Sequence, residues 1–285
     1  MGEIITIAKL KDTELYYDEF GSGFPFLVMH GGLGIDHTYL HPTLDPLGDI
    51  FKLIFYDHRG HGRSGRPPIN TITFEKLADD ANELREILGY DKLGIIGNSA
   101  GGYVALNYAI RHPNHISYLI LIDTAPAFDY MEEIMKCVQN KNPPPELIDT
   151  LNAPVDPTIE GFRNQFKIMQ PLYFYEFTPE VEQMSNRIID KMILNPELAA
   201  LNEILISKYN VSSQLTKIEV PTLILVGKDD FVCPPSQAQL MHDSIANSEL
   251  YIFEKCGHYP FYETPDEFFR VLHNWFKKLH LELEL

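Results

Sequence analysis

The segment Leu93-Gly94-Ile95-Ile96-Gly97-Asn98-Ser99-Ala100-Gly101-Gly102 constrains the fold more than any other part of the chain. An apolar run at 93–96 has the character of a buried strand. It turns at once through G-x-S-x-G into the helical stretch 100–111. Such a turn forces Ser99 into a strained conformation with its hydroxyl exposed at the sheet edge. The positions two before and two after the serine are crowded, which suits Gly97 and Gly101. The backbone N–H of Ala100, at a helix N-terminus, is placed to stabilise an oxyanion.

The same alternation extends through both ends of the chain. An early hairpin is expected to turn near Asp12-Thr13, with strands at 26–29, 52–56, 93–96 and 118–122. Phe74, Leu77, Ala78, Ala81, Leu84, Ile87 and Leu88 recur at helical spacing, with Thr73 placed as cap and Gly89 as stop. The rhythm returns with a strand at 222–226, a helix near 236–246 and a strand at 250–253. Thr264-Pro265-Asp266-Glu267 then combines a capping box with proline at the first helical position. Strands alternating with helices predict a mostly parallel sheet covered on both faces.

Between Pro126 and about Lys208 no clear strand occurs. Helical fragments are broken by prolines at 143–145, 154, 157, 171, 179 and 196, and aromatics are dense at Phe162, Phe166, Tyr173, Phe174, Tyr175 and Phe177. We expect residues 127–208 to form a helical cap over one end of a core made from 1–126 and 209–285.

A serine hydroxyl needs a base to take its proton, and that base must be held in one orientation. The strand at 222–226 ends in Gly227-Lys228-Asp229-Asp230, and the last strand is followed by Cys256-Gly257-His258. Serine, acid and histidine thus follow in order, each at the carboxyl end of a strand. Asp230 is preferred over Asp229, with Asp123 a rival at the end of 118–122. The second oxyanion donor is expected from His30-Gly31-Gly32-Leu33-Gly34, with Gly32 first and Leu33 second.

Other classes of function are disfavoured. The net charge of −17, from 40 acidic and 23 basic residues, would repel phosphate backbones and anionic lipid. Cys137, Cys233 and Cys256 are odd in number and far apart, without zinc-ligand spacing, so no metal is expected. Free thiols and the absence of a signal-peptide core at the N-terminus point to a cytoplasmic protein. Gly60-His61-Gly62-Arg63-Ser64-Gly65 matches the dinucleotide fingerprint G-x-G-x-x-G. Arg66-Pro67-Pro68 follows it, however, and no helix starts there to hold a pyrophosphate. No cofactor is therefore expected. The alternating Leu281–Leu285 tail adds no functional signal.

Several motifs in order resemble the α/β-hydrolase fold superfamily: His30-Gly31, Asp57-His58-Arg59-Gly60-His61-Gly62-Arg63-Ser64, the GNSAGG turn, and Gly257-His258-Tyr259-Pro260 with Glu263 and Pro265. The resemblance implies an eight-stranded sheet with a cap after the sixth strand. It assigns Asp57, His58, Arg59 and His61 to shaping the loop beside the site. It also keeps Asp123 in play, because related enzymes can carry their acid there.

Within the superfamily the chain is most similar to proline iminopeptidase-like hydrolases and small carboxylesterases. Its HGGLG and GNSAG depart from the iminopeptidase pattern of H-G-G-P-G and G-G-S-W-G. An iminopeptidase also needs cap carboxylates for the substrate's free amine, and Glu132, Glu133, Glu160, Glu176 and Glu180 are the candidates. The expected activity is hydrolysis of a small, largely apolar ester through an acyl-enzyme. An aminopeptidase is the alternative; a carbon–carbon bond hydrolase or a ligand receptor on the same fold ranks lower. Tyr173, Phe174, Phe177 and Tyr259 are the expected substrate contacts, although the cap aromatics could equally form the cap's own core. The partner is a small ester or amide; the oligomeric state is left open.

Overall fold

The central strands are apolar on both faces, so the sheet they form must be covered on both sides. The computed structural model describes residues 6–283. Among these, eight strands form one sheet: β1 (Ile7–Lys9), β2 (Glu14–Gly21), β3 (Phe24–Met29), β4 (Phe51–Tyr56), β5 (Leu93–Asn98), β6 (Ile116–Ile122), β7 (Thr222–Gly227) and β8 (Ser248–Phe253). Their order is β1-β2-β4-β3-β5-β6-β7-β8. β1 and β2 form an antiparallel hairpin, β2 runs antiparallel to β4, and the remaining pairs are parallel.

Alternate residues along each strand enter different cores. Leu27, Met29, Ile54, Ile95 and Leu121 pack with α1 (Phe74–Ile87), α2 (Ala100–Arg111) and a helix at Pro235–Ser244. Phe26, Val28, Phe55, Ile96 and Ile120 pack against the closing helix at Pro265–Leu283, through Phe268, Leu272, Trp275 and Phe276. The boundaries of α1 have the expected causes: the Thr73 side chain accepts the Lys76 N–H, and Gly89 adopts a φ of 78° just beyond the end.

Between β6 and β7 come six helices: α3 (Met131–Asn140), α4 (Pro145–Asn152), α5 (Ile159–Tyr173), α6 (Pro179–Lys191), α7 (Pro196–Ala199) and α8 (Asn202–Ile206). Pro145, Pro179 and Pro196 each open a helix, where a missing N–H costs nothing. Entry and exit of the segment meet, since Ala127 and Asn210 form an isolated antiparallel bridge and the Val211 N–H donates to the Pro126 carbonyl at 2.8 Å. α9 (Pro235–Ser244), α10 (Pro260–Glu263) and α11 (Pro265–Leu283) complete the chain.

α11 begins at Pro265 as the sequence implied, but the groups of the expected capping box serve elsewhere. The N–H and hydroxyl of Thr264 both donate to the Pro260 carbonyl, closing α10, while Glu267 accepts the Tyr251 hydroxyl. The short preceding helix captures the residue that would otherwise have capped the next one.

The loop after β4 is anchored from beneath. Arg59 is fully buried and clamps Asp80 of α1 through Nε and through NH2, at 2.6 Å to Oδ1, and also reaches Asp12 at 2.7 Å. Removing one member of a buried ion pair strands the other in low dielectric. Asp80→Ala is therefore expected to cost about 3–5 kcal/mol in urea unfolding. Asp12→Ala, at the half-exposed partner, should cost about 1 kcal/mol or less. Equal losses would contradict this account of the anchor.

Candidate active site

Chain order reverses between β3 and β5, so the crevice beyond their carboxyl ends is where a site is expected. Ser99 stands there at φ 53° and ψ −122°. Three hydrogen bonds hold this strained turn: Ser99 N–H to the Ile122 carbonyl at 2.9 Å, and Gly102 N–H and the Thr124 hydroxyl to the Ser99 carbonyl, each at 2.8 Å. Glycine is required where neighbouring chains close in. A Cβ on Gly101 would lie 2.1 Å from the Met29 carbonyl oxygen, and one on Gly31 would lie 2.8 Å from Ser99 Cβ.

His258 Nδ1 lies 2.8 Å from Asp230 Oδ2. Asp230 Oδ1 accepts the N–H groups of Val232 and Cys233 at 2.8 and 3.2 Å, so the turn after β7 fixes the carboxylate. With Nδ1 donating to that carboxylate, Nε2 is left for proton exchange. Ser99 and His258 line the same cavity of about 840 Å³. The His258 ring is thus bonded to Asp230 and not to its neighbour Asp229, whose backbone N–H donates to the Cys256 carbonyl. Asp123 lies beside the pair: oxygen atoms of both aspartates and a ring nitrogen of His258 fall within 4.8 Å of one another. In this cluster, the one with metal-ligand spacing among the described residues, Asp230 Oδ2 and His258 Nδ1 are already bonded to each other.

Ala100, Gly32 and Leu33 also line the cavity. The N–H of Gly31 is taken by the Tyr39 hydroxyl at 2.6 Å, which leaves the next two amides of the loop as candidate oxyanion donors. That hydroxyl donates in turn to Asn98 Oδ1, also at 2.6 Å, tying the loop after β3 to the serine turn. Tyr39 was not singled out from sequence, because nothing local marks a tyrosine whose partners are 8 and 59 residues away.

Tyr173, Phe174 and Tyr259 line the cavity, with the rings of Tyr173 and Tyr259 stacked 5.7 Å apart. Phe177 is a correction: it packs on Phe174 at 5.8 Å and is not part of the cavity wall, because the chain has left α5 and is approaching α6. Glu132, Glu133, Glu160, Glu176 and Glu180 also lie off the wall; Glu133 instead binds the Ser236 hydroxyl. Glu203, not considered from sequence, is among the described residues the one acidic residue lining the cavity. Five methionines (131, 135, 169, 184 and 192) join aromatic and aliphatic side chains on a mostly apolar wall that also carries uncharged polar groups, among them Asn152, Gln165, Gln170 and Asn202.

The histidine loop is bound to the end of α5. His258 N–H donates to the Tyr173 carbonyl at 2.7 Å, and the Glu263 carboxylate accepts the N–H groups of Gly257 and Tyr175 at 2.7 and 2.6 Å. On the other flank, Ile193 N–H donates to Asp36 and Asn195 N–H donates to the Gly34 carbonyl.

Beside the loop after β3, His30, His58 and His61 are buried and neutral, desolvation holding each imidazole below its ordinary range. Asp57 accepts from His37 Nδ1 at 2.7 Å and from the Arg63 N–H at 2.8 Å. Burial opposes the charge on His37, but hydrogen bonds to Asp18 and Asp57 outweigh it and push its pKa up to about 9.

A family model described as alpha/beta hydrolase fold matches residues 25–265. The chain belongs to that family. A proline iminopeptidase from Pestalotiopsis fici is 31% identical to this hydrolase over 81% of its length and 84% of the relative's. One from Lactobacillus acidophilus is 32% identical over 88% and 89%. An esterase from Exiguobacterium antarcticum superposes with a TM-score of 0.77 at 25% identity, covering 96% of this chain and all of that one. No described helix is long and apolar enough to cross a membrane.

Two outcomes follow for the scaffold of the site. A folded-state pKa of about 9 for His37, against 6.5 unfolded, gives a stabilising contribution that is complete below 6.5 and lost as pH rises through about 9. Urea midpoints should fall over that range, and less steeply in His37→Gln. Tyr39→Phe leaves the buried Gly31 N–H without its partner and should cost about 1–3 kcal/mol in the same assay. An unchanged midpoint would contradict that role.

Proposed function

We propose that this hydrolase cleaves an apolar carboxylic ester of small-molecule size through an acyl-enzyme. The observation that carries this reading is that Ser99 and the Asp230-paired His258 open onto one largely apolar cavity. His258 takes the proton of Ser99 as its oxygen attacks the ester carbonyl. The oxyanion is held by the N–H of Ala100 and by that of Gly32 or Leu33. The protonated imidazole then delivers its proton to the departing alkoxide, and Asp230 stabilises the cation in the interval. Water, activated by the same histidine, releases the acid. In this scheme α3–α8 act as a cap, supplying the acyl pocket and excluding bulk water.

The cavity is larger than a short acyl group fills, and its methionine-rich wall can adapt to different shapes. Acyl chains longer than butyryl, or a bulky apolar acid, suit it better. Cleavage of an N-terminal proline amide is the second reading, favoured by the iminopeptidase relatives and by Glu203 on the cavity wall. A free ammonium would meet that one carboxylate among neutral side chains on a mostly apolar wall, and so the ester comes first.

p-Nitrophenyl butyrate and decanoate and proline β-naphthylamide would be compared, with Ser99→Ala as control. Efficient ester cleavage, with decanoate preferred in kcat/KM, is expected; Ser99→Ala should lower kcat by a factor on the order of 10⁶. Rapid cleavage of the proline amide with feeble ester turnover would overturn the ester reading in favour of the second. Full activity in Ser99→Ala would overturn both.

A further inference from the structure

Asp123 is a carboxyl group of which only one oxygen has a structural partner. It ends β6 in a left-handed conformation, with φ 46°, and is completely buried. Its Oδ1 accepts the Gly227 N–H at 2.9 Å, whereas Oδ2 is buried without any hydrogen-bond partner. Yet an oxygen of this group, one of Asp230 and a nitrogen of His258 share a space 4.8 Å across. Two carboxylates so close in low dielectric cannot both be ionised.

The hydrogen bonds decide which one keeps the charge. Asp230 receives two backbone N–H groups and the imidazole, three donors in all, and Asp123 receives one. Around Asp123 the other titratable neighbours are Glu263, Cys233, Cys256 and Tyr39, none of them cationic. Desolvation, followed by the charge of Asp230, raises the pKa of Asp123 well above the carboxylate range.

Resting on the triad reading above, we propose that Asp123 and Asp230 form a two-carboxyl pair that carries a single negative charge behind His258. Asp230 holds the charge and orients the ring; Asp123 holds a proton on Oδ2 and is a positioning residue. When Asp230 is neutralised, Asp123 releases that proton to solvent and becomes the anion that stabilises the imidazolium.

The first measurement is infrared spectroscopy of the intact enzyme and of Asp123→Asn, which retains an acceptor for Gly227. The C=O stretch of a protonated carboxyl should be present near neutral pH and absent from the variant. The second compares ester hydrolysis by Asp230→Asn with that by Asp123→Asn/Asp230→Asn, after circular dichroism has shown both to be folded. Asp230→Asn should retain an activity that climbs with pH as Asp123 ionises, reaching about tenfold or more over the double variant in the alkaline range. Asp123→Asn alone should cost less than Asp230→Asn.

No infrared band lost in Asp123→Asn, or equal activity of the single and double variants at every pH, would overturn the pair. The infrared result does not depend on turnover. It therefore separates failure of the pair from failure of the triad, which Ser99→Ala tests independently.

Discussion

The close approach of two backbones, the loop after β3 and the turn after β5, is the constraint on which the rest of the site depends. Gly31 sits against Ser99, and Gly101 sits against the end of β3, with no room for a Cβ at either place. A non-glycine residue at positive φ costs on the order of 1–3 kcal/mol, and that strain persists only where the surroundings over-determine it. Here β6 does so. Its last carbonyl receives the Ser99 N–H, and Thr124 just beyond it binds the Ser99 carbonyl. Asp123 lies between these two anchors, so Ser99 and the neighbouring carboxyl are referred to the same strand end.

The structure pairs His258 with Asp230 and sets Ser99 on the same cavity, and each of these three residues is marked locally in sequence. A strand entering G-x-S-x-G admits few geometries, and strands ending in Asp230 and leading to His258 place both at the same edge of the sheet. The preference for Asp230 over Asp123 had weaker grounds in sequence. In the structure its cause is plain: the turn 230–233 folds its own N–H groups onto Asp230, a consequence of backbone path that residue identity does not announce. Thr264 shows the reverse error, a capping signal of good quality lost to a neighbouring helix that sequence did not show.

The cavity wall was less legible. Phe162, Phe166, Met169 and Tyr173 share one stripe of α5 and all reach the cavity, as helical spacing allows. Phe177 lies outside that helix, and its aromatic character alone could not tell a wall from a buttress. The glutamates failed as amine ligands for a related reason. Their positions on α3, α5, α6 and the α5–α6 connection depend on how helices roll against the sheet, and the one that reached the cavity, Glu203, lies on α8. Tyr39 and the methionines were missed because their significance comes only from what the chain brings beside them.

The two pinned flanks of the helical segment limit how it can move. At one flank, Tyr173 and Tyr175 are bound to the very loop that carries His258; at the other, residues 193–195 are bound to the loop after β3. A segment hinged to swing clear at either flank would drag one of these loops with it. Between those flanks α3, α4 and α8 contribute Met131, Leu151 and Ile206 to the wall, and α3 is itself tied to α9 through Glu133 and Ser236. The cavity wall and the loops that carry His258 and Gly32 are therefore mechanically coupled, so a displacement of the helical segment is felt at the residues facing it.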